Sequence, residues 1–282
     1  MTDASLIDPA ERGAECASDG TPLRDAARPR PRYEPLKAWH HFRILLRDKE
    51  NTAEVFRIFE ALPSKSFVPR VRALALSEQG EHLRATERDL PSILDDHEAL
   101  RRMPAGSVAQ AYCDFMEREG LSAAGLVAES VKAGRPAYPD LIQWYGYRLR
   151  DTHDLMHVIT GYGRDALGEQ CVLLFTHGQN PSHGHLLLGY AGAAHIKRMR
   201  KTKAPVWKAV RQAHRTGVAC PSLVGMSIRD LLAMDLAEAR KMLNIPDPDW
   251  YRECHRVWAS EGIDPYDLLA PVKPEQQEAL AA

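Results

Sequence analysis

Two histidines one helical turn apart, followed by a glycine stop and then a glutamate, constrain this chain more than any other feature. The segment reads His153-Asp154-Leu155-Met156-His157, and eleven residues separate His157 from Glu169. At i and i+4 the two imidazoles project from one face of a helix. Asp154 is offset from His153 by about 100° around the axis. Gly161-Tyr162-Gly163 ends that helix, because glycine readily takes the left-handed conformation that closes a C-terminus. Residues 165–175 then fold back and present Glu169 to the same point. The pattern predicts two packed helices sharing one polar focus. His153, Asp154, His157 and Glu169 are thus the candidate metal ligands, a donor set that suits zinc first and iron, manganese or cobalt as alternatives. The competing reading is an ordinary surface Asp-His pair, since His-x-x-x-His is short. In His-Glu-x-x-His zinc proteases the residue after the first histidine is the base. Here it is Asp154, shorter and suited to be a ligand or a partner of one.

The rest of the chain has helical periodicity and little β-branched alternation, which predicts an all-α fold. Val55, Ile58, Phe59 and Leu62 follow i, i+3, i+4, i+7 behind Asn51 and Thr52 as caps. Ser107-Val108-Ala109-Gln110 is a capping box ahead of the stripe Val108, Ala111, Tyr112, Phe115. Ser122 caps a helix running through Val131. Pro139 sits near the first turn of the helix that carries the histidines, where its missing N–H costs nothing. Leu141, Tyr145, Leu149, Thr152 and Met156 form that helix's packing face. Further helices are expected over 206–216 and 228–243, with a break at Pro246-Asp247-Pro248. The organisation is a polar, proline-punctuated and disordered tail over 1–32, a single helical domain over 33–245, and a C-terminal helical appendage over 246–282.

Composition excludes several functions. With 282 residues the chain can bury a real core, and its net charge of −1 rules out a strongly basic nucleic-acid binder. Five scattered cysteines, with no Cys-x-x-Cys pair, argue against a disulfide framework and a thiolate zinc knuckle. No apolar run approaches the roughly 20 residues needed to span a bilayer. The acidic N-terminus lacks the basic start and apolar stretch of a signal peptide and is too acidic for a typical mitochondrial presequence.

Residues 185–196 are apolar nearly all round, as in a buried helix, and rich in Gly189, Ala191, Gly192, Ala193 and Ala194. Those small residues either permit close helix packing or leave room for a ligand, and a tightly packed core helix is the simpler account. The following run, Lys197-Arg198-Met199-Arg200-Lys201-Thr202-Lys203, either complements the negative end of the helix dipole or meets anionic lipid headgroups. His177, His183 and His185 are close enough in sequence to stand around the metal, although loop histidines are often simply solvated. His40, His41 and His97 have no partner spacing.

At its full length the compound motif, with Leu167-Gly168 before Glu169, resembles the signature of the coenzyme Q (ubiquinone) biosynthesis protein 4 family. Asn51-Thr52-Ala53-Glu54-Val55-Phe56, Met103-Pro104-Ala105-Gly106-Ser107-Val108 and Tyr138-Pro139-Asp140-Leu141-Ile142 support it. The resemblance spans about residues 33–245. It implies an all-α, often dimeric fold with a metal on His153, Asp154, His157 and Glu169, and an apolar cavity for a polyprenyl chain. It also implies peripheral work on the inner face of a bacterial membrane, on the cytoplasmic side, within a ubiquinone-making assembly. The activity it implies is oxidative decarboxylation at C1 of a polyprenylated hydroxybenzoate, a lyase-type step in which a hydroxyl replaces the carboxylate, with Asp154 as the candidate catalytic residue. The rival is a non-catalytic lipid-binding scaffold with a structural metal. A phosphohydrolase of the His-Asp type is a third reading, without convincing distal His and Asp motifs.

Overall fold

The computed structural model describes residues 15–46 and 51–268. Among them the chain is helical, with sixteen α-helices and no strand. The first six are α1 (Pro35–Leu45), α2 (Thr52–Ala61), α3 (Phe67–Ala75), α4 (Glu78–Thr86), α5 (Leu90–Asp95) and α6 (His97–Arg101). Then come α7 (Val108–Glu119), α8 (Ala123–Lys132), α9 (Leu141–Asp151), α10 (His153–Thr160) and α11 (Ala166–Gln179). The last five are α12 (His183–Arg200), α13 (Val206–Ala219), α14 (Ile228–Ala233), α15 (Leu236–Met242) and α16 (Asp249–Ser260).

The centre of the main core is α11, whose Leu167, Cys171, Val172, Leu174 and Phe175 are all buried. It packs between α12 and α13, and a glycine sets how closely. A Cβ at Gly217 of α13 would stand 2.1 Å from the carbonyl oxygen of Phe175, so the two backbones touch where no side chain fits. On the other flank, Leu174 fills the space a Cβ would take at Gly189, and Gln170 does the same at Gly192. The small residues of α12 therefore serve close helix packing. That helix is not buried all round as its composition predicts. Leu188, Gly189, Ala193 and Ile196 form the buried stripe, whereas Leu186, Leu187, Tyr190 and Ala191 are half-buried and Ala194 is exposed. Its basic end is tied to the loop that follows it: Lys197 Nζ donates to the carbonyls of Thr202 (2.6 Å) and Ala204 (3.3 Å). Arg198 stays exposed.

Several boundaries differ from those the sequence predicts. The helix expected from Pro139 starts after Asp140, whose carboxylate accepts from Gln143 N, and it breaks at Thr152. The Thr152 hydroxyl donates to the Arg148 carbonyl (2.8 Å), a back-bond that bends helices, so α9 and α10 are separate segments. Asn51 precedes α2 without a side-chain capping bond, whereas Ser107 and Ser122 cap as expected. The helix expected over 228–243 is divided by Asp235, which accepts from Ala237 N and Glu238 N and starts α15.

The tail expected over 1–32 begins to pack earlier than its composition indicates. Residues 1–14 lie outside the described residues. In 15–32, Leu23 is buried, the carbonyls of Pro22 and Leu23 accept from the first amides of α9, and Arg28 pairs with Asp140 at 2.6 Å. At the other end, α16 is helical as expected, yet Tyr251, Cys254 and Trp258 belong to the same core as α7, α10, α11 and α13. Residues 269–282 lie outside the described residues.

Candidate metal centre

Two short helices meet at an angle set by a tight turn, and their facing polar groups form the site. Gly161 ends α10 in the left-handed region (φ 76°), as the sequence requires. Asp165 then starts α11 by accepting from Leu167 N (3.0 Å) and Gly168 N (3.2 Å). Glu169 lies in the first turn of α11 and is carried back over α10. Gly168 is required here, because a Cβ would come within 1.9 Å of the Gly163 carbonyl oxygen.

Three of the four residues singled out in the sequence form one cluster, and Glu169 lies against its two histidines. One ligand atom each from His153, Asp154 and His157 lie within 4.8 Å of one another. Glu169 Oε2 stands 3.5 Å from His153 Nε2 and 3.6 Å from His157 Nε2. Among the described residues no other group of three such side chains is placed to share an ion, so the His-Asp phosphohydrolase reading gains no second cluster.

The chemistry of His157 tests whether this set fits a cation. Its Nδ1–H donates to the carbonyls of Tyr162 and Gly163, both at 3.1 Å, which fixes the tautomer. The lone pair is left on Nε2, which is buried, faces Glu169 and has no hydrogen-bond partner. A buried acceptor without a donor costs on the order of 1–3 kcal/mol. A divalent cation among these four donors removes that cost, and an Nδ1–H bonded to a carbonyl is how metal-bound histidines are usually oriented. The donor set fits. The ring of Phe115 on α7 stacks on His157 at 5.5 Å and holds its plane.

Electrostatics couple the pair further. Burial acts to raise the Glu169 pKa, but the two imidazoles facing it, His157 and His153, outweigh burial and hold the carboxyl well below the usual range. Burial likewise acts to lower His153, and Glu169 reverses the sign so that His153 sits above its ordinary value. His157's side chain is wholly buried, whereas those of His153 and Glu169 keep 29% and 31% of their surface accessible. The cluster is therefore open on one side. Arg164, with Nε 3.7 Å from Glu169 Oε1, flanks it.

The remaining histidines divide. His185 lies near enough for the charge of His153 to act on it, and burial first of all pushes its pKa down to about 3. It packs on Phe59. His177 instead pairs with the Ser182 backbone and packs on His214, and His183 meets Tyr33. His41 pairs with Glu54 and His97 with Glu117. Sequence reasoning missed Phe115, Arg164, Asp165 and Tyr251. Only Asp165 had a local signal, as an acidic cap preceding an apolar helix.

Comparison with known proteins gives the family and the fold. The family model described as coenzyme Q (ubiquinone) biosynthesis protein Coq4 matches residues 64–249. Curated relatives include the mitochondrial ubiquinone biosynthesis protein COQ4 of Ajellomyces capsulatus, 27% identical over 70% of this chain and 69% of its own. The Aspergillus fumigatus protein of the same name is 28% identical over 70% of this chain and 67% of its own. A crystal structure from Nostoc punctiforme, described provisionally as a ubiquinone biosynthesis protein, superposes with a TM-score of 0.58 at 21% identity. It covers 77% of this chain and all of its own, a likeness of fold. The curated relatives are mitochondrial by name, so the bacterial setting expected from the sequence finds no support in them. Among the described residues no helix is long and apolar enough to cross a membrane.

Proposed function

Because this chain belongs to the Coq4 family of coenzyme Q (ubiquinone) biosynthesis proteins, we propose that it performs metal-dependent oxidative decarboxylation of a polyprenylated hydroxybenzoate within that pathway. The orphaned Nε2 of His157, converging with His153, Asp154 and Glu169, carries the metal part of this reading. These four residues would hold one divalent ion, zinc first. When bound, such an ion supplies Lewis-acid stabilisation of a substrate carboxylate or phenolate. The accessible side at His153 and Glu169 leaves a position from which substrate can reach the centre. Arg164 stands there as a fixed positive charge that attracts a carboxylate. Asp154, 9% exposed, would add a carboxylate donor beside the histidine pair and set the charge of the centre. At C1 the bond to the carboxyl carbon breaks, carbon dioxide leaves and a hydroxyl takes its place. That exchange is a two-electron oxidation, so dioxygen or another oxidant must take part; zinc itself has no redox chemistry.

The half-buried face of α12, with Leu187 and Ala191 beside Phe59 and Leu173, supports a path for the polyprenyl chain. Arg198 and its exposed basic neighbours Lys201 and Lys203 support contact with an anionic membrane surface. One observation favours a second reading, a lipid-presenting scaffold with a structural ion. Four protein donors suffice for a closed tetrahedral site, whereas catalytic zinc usually has three. The two readings separate on Asp154→Asn. Under catalysis, purified Asp154→Asn protein keeps its melting temperature and pathway partners but fails to decarboxylate a short-chain prenylated hydroxybenzoate. Under scaffolding, stability and partner recruitment fall together. Normal product formation by Asp154→Asn, or none by wild type supplied with metal and oxygen, overturns the catalytic reading.

A further inference from the structure

Behind the turn that joins α10 to α11 lies a buried polar chain that the four candidate ligands do not use. Tyr251, on α16, accepts from Gly163 N at 3.0 Å through its hydroxyl oxygen and donates the hydroxyl proton to Asp165 Oδ2 in a short hydrogen bond. His255, one helical turn further on, places Nε2 3.3 Å from that same Asp165 oxygen. The Tyr251 ring meets the Tyr162 ring edge to face at 5.4 Å and packs on His255 at 4.4 Å. Tyr251 is 6% exposed and the Asp165 side chain 1%. The peptide that carries the Tyr162 carbonyl and the Asp165 cap are therefore held from behind. The carbonyls of Tyr162 and Gly163 fix the proton on His157 Nδ1, and Asp165 fixes the first turn that carries Glu169. The family match ends at residue 249, so Tyr251 and His255 lie beyond it while Asp165 and Gly163 lie within it.

We infer that Tyr251 and His255 are positioning residues for the His153–Asp154–His157–Glu169 centre, acting through Asp165 and the Gly163 peptide. The inference rests on the metal reading above for its consequence and on the hydrogen bonds alone for its geometry. The Asp165 carboxylate has two tasks on separate oxygens. Oδ1 accepts from Leu167 N and Gly168 N, while Oδ2 accepts from Tyr251 and meets His255. In Asp165→Asn the amide oxygen can keep the helix cap, while the amide nitrogen cannot accept the Tyr251 proton. In Tyr251→Phe the packing stays and both hydrogen bonds go. Without them the Gly163 peptide is free to turn, and the Nδ1–H of His157 loses one of its two acceptors.

The test uses the full chain, zinc alone as probe with a competing chelator, and nitrogen-15 spectra of the histidines in metal-free protein. Tyr251→Phe and Asp165→Asn are expected to weaken zinc binding about 10- to 100-fold, the usual scale for groups behind a metal ligand. The spectra should change His157 from a single Nδ1–H tautomer to a mixture, and His255→Gln should shift both readouts the same way by less. Folded variants with wild-type zinc affinity and an unchanged His157 tautomer overturn the inference, even if their melting temperatures fall. Should wild type bind no zinc, the metal reading fails, and the tautomer shift alone decides whether the clamp positions His157. If Tyr251→Phe does not fold, Asp165→Asn and His255→Gln decide.

Discussion

Two buried ionic clusters lie on adjoining helices of this molecule, and only one is closed. On α9, Arg148 is 1% exposed and meets Glu87 at 2.8 Å. Its remaining nitrogens donate to the carbonyls of Val224 (2.7 Å) and Met226. Glu87 in turn accepts from Ser227 Oγ and Arg229 N. Charge is matched within the protein: Arg148 Nη1 and Glu87 Oε2 stand as an ion pair without hydrogen-bond geometry, and the other atoms of both groups are hydrogen-bonded. On α10 and α11, two imidazoles and two carboxylates crowd together and His157 Nε2 is left without a donor. The first cluster ties α9 to the 224–229 segment. The second has the composition of a site that needs something added.

The largest effect expected from this contrast is on the closed cluster. Glu87→Ala leaves the Arg148 charge buried and uncompensated, a defect that costs on the order of 3–5 kcal/mol. Chemical denaturation should read that loss while zinc affinity per folded chain stays unchanged. A zinc defect in a folded Glu87→Ala protein would mean the two clusters are one functional unit.

A smaller effect sharpens the role of α11, the helix that carries Glu169. Gly217→Ala forces a methyl against the Phe175 carbonyl, and overpacking of this kind costs about 1–3 kcal/mol. Thermal melts with and without zinc should show the loss in both states. A loss only in the zinc-bound state would place the strain at the site and not at the α11–α13 crossing.

The smallest expected effect is a pH dependence at the start of α9. Burial acts to raise the Asp140 pKa, but Arg28 and the amides of Asp25 and Gln143 outweigh it, so the folded value lies below the ordinary one. A depressed carboxyl contributes its full stability above its unfolded pKa, about 3.9, and loses it as the pH falls through the folded value. Hydrogen exchange at Leu141 and Ile142, whose amides bond to Pro22 and Leu23, should therefore rise relative to its intrinsic rate only under acid. In Arg28→Ala the rise should begin at higher pH. Exchange that is insensitive to acid and to Arg28 would mean residues 15–32 are held by Leu23 alone.

The sequence made local features legible and left distant ones hidden. His153, His157 and the Gly161 stop lie within one short stretch, so helical geometry alone places both imidazoles on one face. Glu169 needed the turn to fold back, which Gly161 and Asp165 encode nearby. The caps at Ser107 and Ser122 are equally local. By contrast, Arg148 and Glu87 are 61 positions apart, and Tyr251 meets Asp165 across 86. No periodicity relates such residues. Composition also misled: residues 15–32 look like a tail because their order comes from α9, and residues 185–196 look buried all round because alanine and glycine tolerate a half-exposed face.

The most direct test is the metal content of the full-length protein, measured by elemental analysis beside folded His157→Ala and Glu169→Ala variants. On the proposed reading wild type should carry about one divalent ion per chain, and both variants should have lost it. Wild-type-like occupancy in both folded variants, or no ion in a wild-type protein supplied with zinc, iron, manganese and cobalt, would contradict the account.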